Sequence, residues 1–544
     1  MLILCCVFCA VTVNTNAQQR TATTPQQRTN VSQQRIALTE NAQKLLIAIS
    51  AISNYYVDET DEKKIVEDAI KGTLEKLDPH SEYSDPEETK RFNERLESNF
   101  DGIGIQFYML ADTLYVVQVI SGGPSEKVGL LTGDRIIFVD DTLIAGVNMK
   151  NTDITNRLRG TRGTEVLVKV KRGRVNELLE FKITRGRVPT YSIDADYMID
   201  QTTGYVRLNS FAMSSNTEFR EAVDKLKKSG MENLILDLQG NGGGLLHVAN
   251  ELADDFLGKG QLIVYTQGNV QPRSDAFATE NGCFETGRLV IIVDELSASA
   301  SEIVAGAVQD WDRGVILGRR TFGKGLVQRA VPLPDGSMIR LTIARYFTPN
   351  GRFIQKPYTN GEDKEYSREL IERYNRGEWM SADSIHFPDS LKHSTLVSKR
   401  TVYGGGGIMP DIFIPFDSTR ITDYHRKINS LELIVRVAMN FADTNRHELD
   451  RAYPDIETFK NNYNVSEELL QELLNLASQE NVEFNEEQYN KSKSLMTLQI
   501  KAIIARDLYG LKSYYQIINE DNASIKEAQR IINAPEDYYR VLGL

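Results

Sequence analysis

The stretch Leu289-Val290-Ile291-Ile292-Val293-Asp294, running on through Glu295-Leu296-Ser297-Ala298-Ser299-Ala300-Ser301-Glu302 into Ile303-Val304-Ala305-Gly306-Ala307-Val308, decides the reading of this chain. Consecutive apolar, mostly β-branched residues predict a strand buried on both faces. The small residues after it predict a tight turn. Ile303, Val304, Ala307 and Val308 then fall at helical spacing. A hydroxyl at such a turn lies at the helix's positive end, beside backbone N–H groups that lack intrahelical partners. A second, shorter run from Gly314 to Leu317 leads into Gly318-Arg319-Arg320-Thr321-Phe322-Gly323-Lys324-Gly325-Leu326-Val327-Gln328. Lys324 thus stands between two glycines, 25 residues after Ser299. We read Ser299 as the candidate nucleophile and Lys324 as its candidate base.

Outward from this stretch, residues 187–418 alternate strand and helix, which predicts an α/β domain with a mixed sheet. Strands are expected near 203–208, 233–238, 261–266, 288–293, 315–317, 326–333 and 337–347. Helices are expected at 216–228 and 244–257. Residues 355–405 are polar and read as an irregular inserted loop before a last strand at 411–415. Ahead of this domain, residues 96–186 carry short strand-like runs, one or two short helices and Gly-rich turns, the texture of a small half-open β-barrel. Residues 36–95 read as a helical region, with Ile65, Val66, Ala69, Ile70 and Leu74 in one stripe. Residues 419–544 are helical throughout. They carry no catalytic pattern and are expected to form an interaction or assembly domain, serving a homo-oligomer or an adaptor. The fold class expected is therefore multidomain α/β: N-terminal helices, a small β-barrel, a mixed-sheet core and a C-terminal helical domain.

At 544 residues the chain is too long for one core. Its 41% hydrophobic and 25% charged residues are ordinary for a folded protein. A net charge of −12 argues against a nucleic-acid partner. The first nine residues are almost entirely apolar, and small residues precede Gln18, so residues 1–17 are expected to be a secretory signal. Residues 18–35 repeat Gln-Gln-Arg among Thr, Pro and Asn and read as a disordered linker. Three of the 4 cysteines lie in the signal. Only Cys283 would remain, leaving no internal disulfide. Export without disulfides fits the periplasm or envelope of a Gram-negative bacterium.

The 6 histidines form no metal-ligand pattern, so no metal or cofactor is expected. The Gly-x-Ser-x-Gly elbow of Ser-His-Asp hydrolases is also missing. Lysine is the alternative base. It must be neutral to act, and burial among apolar groups lowers its pKa. Phe322, Gly323, Gly325, Leu326 and Val327 supply such a setting. Gln328 can orient the amine without adding charge, and strand periodicity puts Lys324, Leu326 and Gln328 on one face. An oxyanion needs two backbone N–H donors. One is expected from Ala300, the other from the turn Gln239-Gly240-Asn241-Gly242-Gly243-Gly244 at the end of a buried strand. Other readings compete. Ser299 and Glu302 also have capping-box spacing, which leaves Ser299 between helix cap and nucleophile. The glycine run can be only a turn. Gly318 to Lys324 spells a phosphate-loop pattern, but Gly325 replaces its Ser or Thr and a strand follows instead of a helix.

The residues resemble those of the C-terminal processing peptidases, PDZ-containing Ser/Lys proteases of bacterial envelopes and chloroplast lumens. The likeness rests on Leu77-Asp78-Pro79-His80-Ser81 with Tyr83, on Gly102-Ile103-Gly104, on Gly129-Leu130 with Gly133-Asp134, and on Asp237-Leu238-Gln239-Gly240-Asn241. It rests further on Ser297 to Glu302 and on Thr321-Phe322-Gly323-Lys324-Gly325 with Val327-Gln328. These motifs span roughly residues 40–415, in family order. The resemblance implies a serine endopeptidase with Ser299 as nucleophile, Lys324 as base, Gln328 as orienting residue, and Gly244 and Ala300 as oxyanion donors. It implies that residues 96–186 are a PDZ domain whose Gly102, Ile103, Gly104 and Ile105 capture the C-terminal carboxylate of protein or peptide substrates with non-polar tails. Gln239 departs from the family, standing where arginine is usual. The rival reading is a non-catalytic PDZ adaptor or scaffold, which has no need of the Ser299, Lys324 and Gln328 set.

Overall fold

The computed structural model describes residues 39–110, 112–173 and 177–544. The expected signal segment 1–17 and linker 18–35 lie outside the described residues, as does the start of the first expected helix. The chain divides into two units at Ile70 and Lys71. The first holds α1 (Glu40–Tyr55) and most of α2 (Glu62–Leu74). Thr39 caps α1 by accepting Ala42 N–H.

The second unit opens with β1 (Glu82–Ser84) and α3 (Pro86–Leu96). Asp85 accepts the N–H groups of Glu87 and Glu88, Glu88 completes a capping box, and Pro86 occupies the first turn. Three local signals thus start α3 at one place. The small barrel follows. Its strands are β2 (Asn99–Gly102), β3 (Ile105–Leu110), β4 (Thr113–Val119), β5 (Arg135–Val139), β6 (Thr142–Leu143), β7 (Glu165–Lys171), β8 (Leu179–Thr184) and β9 (Gly186–Pro189), with helices α4 (Pro124–Val128) and α5 (Asn151–Leu158). The strands β3-β4-β5-β7-β8 form one sheet, and β2 pairs with β9, so the chain enters and leaves the barrel side by side. Leu114 and Val116 point into the barrel core, while Tyr115 and Val117 point out of it.

The core strands are β10 (Ile193–Met198), β11 (Thr203–Leu208), β12 (Asn233–Asp237), β13 (Leu262–Gln267), β14 (Ser274–Phe277), β15 (Leu289–Val293), β16 (Val315–Gly318), β17 (Leu326–Pro332), β18 (Met338–Phe347), β19 (Lys392–Ser394), β20 (Thr401–Tyr403) and β21 (Ile412–Phe413). The helices between them are α6 (Ser215–Lys228), α7 (Leu246–Asp254), α8 (Ala300–Asp310) and α9 (Asp363–Asn375). One sheet runs β10-β11-β12-β15-β16-β21, parallel except for β10. A second runs β1-β18-β13-β14, with β17 on β18. In the first sheet Leu234, Leu236, Leu289, Ile291 and Val293 face α6, α7 and α8. Ile235, Val290, Ile292, Val315 and Leu317 face the opposite way. Both faces are buried, which is why β12 and β15 read as unbroken apolar runs. Helix α8 is buried along its whole length.

The tail comprises α10 (Asp423–Ser430), α11 (Leu433–Ala452), α12 (Ile456–Asn462), α13 (Glu467–Gln479), α14 (Glu486–Tyr509), α15 (Leu511–Ile518), α16 (Ala523–Ile532) and α17 (Pro535–Leu542). The sequence reading gave this whole stretch to interaction or assembly, and the structure divides it. Helices α10 to α14 enclose a core of their own. By contrast Ile525, Ala528, Ile531 and Ile532 of α16, with Tyr538 and Leu542 of α17, cover the second face of the parallel sheet. Tyr538 Oη donates to Leu289 O and accepts Leu289 N–H, each at 3.0 Å. The reason is architectural. A parallel sheet needs helices on both faces, and α6 to α8 supply only one.

The expected irregular loop at 355–405 is also more ordered than its polar composition implied. It carries α9, 3-10 turns at 382–384 and 389–391, and the β19–β20 hairpin. One of its charges turns inward: Arg373 is buried and donates to the carbonyls of Arg320 and Thr321 at 2.8 and 3.0 Å.

Candidate active site

Three loops leave the carboxyl ends of the neighbouring parallel strands β12, β15 and β16, where α/β sheets place their ligands. They carry the glycine turn, Ser299 and Lys324. The serine run ties the first two loops together. Ser297 Oγ donates to Leu238 O, and Ser301 Oγ donates to Asn241 O, both at 2.8 Å. Ala298 N–H donates to Asn241 O at 3.0 Å. The outer serines are thereby structural. Ser299, between them, is the N-cap of α8 at φ 55 and ψ −111, a region that residues with side chains rarely occupy. Ser299 and Glu302 form the capping box that their spacing offers, with Ser299 N–H donating to Glu302 Oε2 at 2.8 Å.

The glycine turn lies against this residue. A Cβ at Gly243, where φ is +96, would stand 2.7 Å from Ala298 O, 2.8 Å from Ala300 N and 2.9 Å from Ser299 Cβ. No side chain fits there. At Gly244 a Cβ would meet Phe211 O at 2.1 Å. Phe211 instead pairs with the turn through Gly243 O and Leu245 N–H. Among the described residues the N–H groups of Gly244 and Ala300 donate to no protein acceptor. Both residues line one cleft of about 570 Å³ with Ser299, Lys324, Leu326, Gln328 and Tyr346.

Lys324 precedes β17, and the β17 register shifts between Val327 and Gln328. The expected shared strand face therefore does not form, because the chain is still in its loop at Lys324. The expected contact forms by another route: Lys324 Nζ donates to Gln328 Oε1 at 2.8 Å. Gln328 Nε2 in turn donates to the His80 carbonyl. Burial lowers the Lys324 amine from its ordinary pKa, against the opposing charges of Asp78 and Glu302.

Glu302 joins the two halves of the site. Its fully buried carboxylate accepts Ser299 N–H at 2.8 Å, Thr321 Oγ1–H at 2.5 Å, Gly323 N–H at 2.7 Å and Lys324 N–H at 2.9 Å. Burial raises its pKa to about 7 despite these bonds. Tyr346 Oη bridges the same loops, donating toward Lys324 O at 2.6 Å and Ser299 O at 3.2 Å. Sequence reading placed Glu302 only in a capping box and did not single out Tyr346. The spacing of Glu302 from Ser299 was visible, but its reach to the Lys324 loop is a tertiary contact. His80, quoted only for resemblance, also lies at the site, held neutral by burial and by the Lys324 charge, with its pKa lowered to about 4.

Ser299, Ala300, Gly244, Lys324 and Gln328 thus come together in one cleft. Gly102, Ile103, Gly104 and Ile105 do not line it. They lie at the β2–β3 junction of the barrel, with both isoleucines buried. Ile103 O accepts Ser125 N–H at 2.8 Å and Gly104 O accepts Ile120 N–H at 3.0 Å. Among the described residues the N–H groups of Ile103 and Gly104 donate to no protein acceptor. Arg159 lies beside this loop and pairs with Glu94 of α3 at 2.6 Å. No group of three or more His, Cys, Asp or Glu among the described residues is arranged to hold a metal ion. No helix among them is long and apolar enough to cross a membrane.

Residues 202–361 match peptidase family S41 and residues 102–183 match the PDZ domain. Residues 4–89 match the activating protease CtpB N-terminal domain, and residues 424–510 a family of unknown function. The carboxy-terminal-processing protease of Bartonella bacilliformis is 35% identical over 309 residues, 56% of this chain and 70% of that protein. The chain belongs to the carboxy-terminal processing proteases of peptidase family S41. It is accordingly a serine-type peptidase with a PDZ domain ahead of its S41 core. Carboxy-terminal processing protease CtpB of Bacillus subtilis is 34% identical over 318 residues, and the match spans 58% of this chain and 65% of that protein, just under two thirds. A solved structure of photosystem II D1 C-terminal processing protease is 30% identical and covers 57% of this chain and 90% of that chain, with a TM-score of 0.32. In this S41 peptidase the candidate cleft residues from Gly244 to Gln328 fall within the family match, whereas α9 begins just beyond it.

Proposed function

We propose that this S41 peptidase cuts protein chains recognised by their C-terminal tails, with Ser299 as nucleophile and Lys324 as general base. One observation carries the reading: a serine held at a positive-φ helix N-cap, two unengaged backbone N–H groups and a lysine whose amine burial pushes toward neutrality line the same cleft. In the reaction, neutral Lys324 takes the hydroxyl proton as Ser299 Oγ bonds to the scissile carbonyl carbon. The oxyanion accepts hydrogen bonds from Gly244 and Ala300 N–H. Lys324 then returns the proton to the leaving amine, and the C–N bond breaks. Water, deprotonated by the same amine, cleaves the acyl-enzyme. Gln328 holds the amine in register.

The tail carboxylate would bind the free N–H groups of Ile103 and Gly104, as backbone concavities of this kind bind anions. Non-polar tail side chains would lie against the apolar barrel. We read residues 1–17 as an export signal to the periplasm or envelope, which cell fractionation tests. The α10–α14 bundle is the surface we assign to a second copy or an adaptor, and sedimentation of the full chain tests that.

The deciding experiment is hydrolysis of an unfolded protein with a non-polar C-terminus by the wild type, Ser299→Ala and Lys324→Ala between pH 6 and 10. Cleavage by the wild type alone supports the dyad. Rate should rise with pH as the amine loses its proton, through a midpoint below lysine's ordinary value because burial lowers it. Equal cleavage by all three would reject the assignment. Tail binding without cleavage in any would favour an adaptor.

A further inference from the structure

The loop that carries Lys324 is gripped by a helix outside the S41 match. Arg373 of α9 donates to the carbonyls of Arg320 and Thr321. Lys356 N–H donates to Gly323 O at 2.9 Å, and Gly325 N–H donates to Gln355 Oε1 at 2.9 Å. Above these contacts sits Tyr366, also on α9 and buried. Its hydroxyl accepts Gln355 Nε2–H at 3.1 Å and lies 2.8 Å from His80 Nε2.

The hydrogen bonds close a circuit. Lys324 Nζ reaches Gln328 Oε1, Gln328 Nε2 reaches the His80 carbonyl, the His80 ring reaches Tyr366, and Tyr366 returns through Gln355 to Gly325, the residue after the lysine. Donor accounting orients the Gln355 amide. Gln355 Oε1 is occupied by Gly325 N–H, so the amide meets Tyr366 through its N–H. The Tyr366 hydroxyl can then give its one proton to His80 Nε2, the arrangement open to a neutral imidazole that carries its proton at Nδ1. The packing agrees with a fixed ring: Tyr366 meets His80 edge-on at 5.1 Å, and the Lys356 ammonium lies 4.0 Å over its face.

We propose that the inserted helix α9 is part of the catalytic apparatus, with Tyr366 as a positioning residue that fixes His80 and, through the His80 carbonyl and Gln328, aims the Lys324 amine. This rests on Lys324 being the base. The charged groups facing the circuit are Asp78 ahead of β1 and Glu302 on α8, both next to Lys324, and Lys356, paired with Glu369 of α9 at 3.1 Å.

Full-chain Tyr366→Phe keeps the ring and removes only the hydroxyl. Its kcat is expected to fall about tenfold with KM nearly unchanged. The pH midpoint of kcat should move up toward ordinary lysine, because a loosened Gln328 lets water reach the amine. His80→Leu should reproduce both changes, while His80→Gln, which keeps an acceptor for the hydroxyl, should retain most of kcat. A second readout does not need catalysis: the pH midpoint for Lys324 acylation by a brief pulse of acetic anhydride, read by mass spectrometry. It should rise in Tyr366→Phe whether or not Lys324 is the base. Wild-type kcat and an unmoved acylation midpoint in Tyr366→Phe and His80→Leu would overturn the proposal. Full activity in Lys324→Ala would overturn the dyad instead, leaving the acylation result to judge the circuit.

Discussion

Glu302 holds more of the site than either residue of the proposed dyad, since one buried carboxylate collects donors from the Ser299 turn and the Lys324 loop. Glu302→Gln turns one acceptor oxygen into a donor, so a buried N–H faces an amide NH2 whichever way the amide points. An unsatisfied buried donor costs about 1–3 kcal/mol. Peptidase activity should fall at least tenfold, with a lower melting temperature near pH 5, both measurable on the purified variant. Linkage gives a second check. The folded pKa of about 7 is above the ordinary 4.5, so the native state holds this proton more tightly. The contribution to stability is full below 4.5 and is lost as pH rises through about 7. Over that window the wild type should lose on the order of 3 kcal/mol relative to Glu302→Gln, seen in paired denaturant melts. Gly243→Ala tests geometry instead of charge. Its Cβ would press on Ala298 O, Ala300 N and Ser299 Cβ at a positive-φ turn, so turnover should collapse and the melting temperature should fall with it. At this scale the sequence was legible where chemistry is local. The pattern Ser-Ala-Ser-Ala-Ser left Ser299 open between cap and nucleophile; in the structure the hydroxyls of Ser297 and Ser301 bond backbone carbonyls, and Ser299 stands in a capping box at the cleft. Tyr346 and Tyr366 carried no local signal, because their partners lie far away in sequence.

Elements with a repeating pattern were readable, and elements fixed by long-range contacts were not. The β15–turn–α8 unit follows from apolar runs and helical spacing alone. The Lys324 loop was read one step too far into its strand, because glycine-flanked apolar residues look alike in a loop and at a strand end. Helix α9 was missed because a polar sequence gives no sign that Glu369 and Arg373 turn inward to pair while its other described charges stay in solvent. Helix α3 connects the two candidate sites: Phe92 and Leu96 line the catalytic cleft, while Glu94 pairs with Arg159 beside the Gly102 loop. A tail carboxylate arriving at that loop would compete with Glu94 for the guanidinium. Glu94→Gln removes the competitor's charge. KM for a substrate with a free C-terminus should fall several-fold, while a substrate with an amidated C-terminus should be unaffected. Equal effects on both substrates would place the contribution of Glu94 in the cleft and not in tail recognition.

Across the whole molecule, local patterns gave the order of the parts but not which part completes which. A helical tail after a finished catalytic pattern reads as an appendage, since nothing in the periodicity of α16 names the surface it covers. The strands did carry half of the answer. Unbroken apolar runs in β12 and β15 require a second helical layer, and α6 to α8 already occupy the first. The tail also reaches the barrel: Met439 packs with Leu110, Tyr115 and Val117, and Asp443 pairs with Arg135 at 2.6 Å. Truncation separates these roles. A chain ending at Asp521 keeps every cleft residue and the α10–α14 bundle but strips α16 and α17 from the sheet. Ile525, Ile531, Ile532, Tyr538 and Leu542 are each buried there, and each such side chain contributes roughly 1.5–3 kcal/mol. Together they rival the ~5–15 kcal/mol net stability of a whole domain. The truncated chain should lose its cooperative core melt and its peptidase activity together, while helical circular dichroism from the bundle persists. Ending the chain at Pro415 should be worse, since the barrel's contact with α11 goes too. If the chain ending at Asp521 instead melts and cleaves as the full chain does, the second helical layer is dispensable and the tail is an appendage after all.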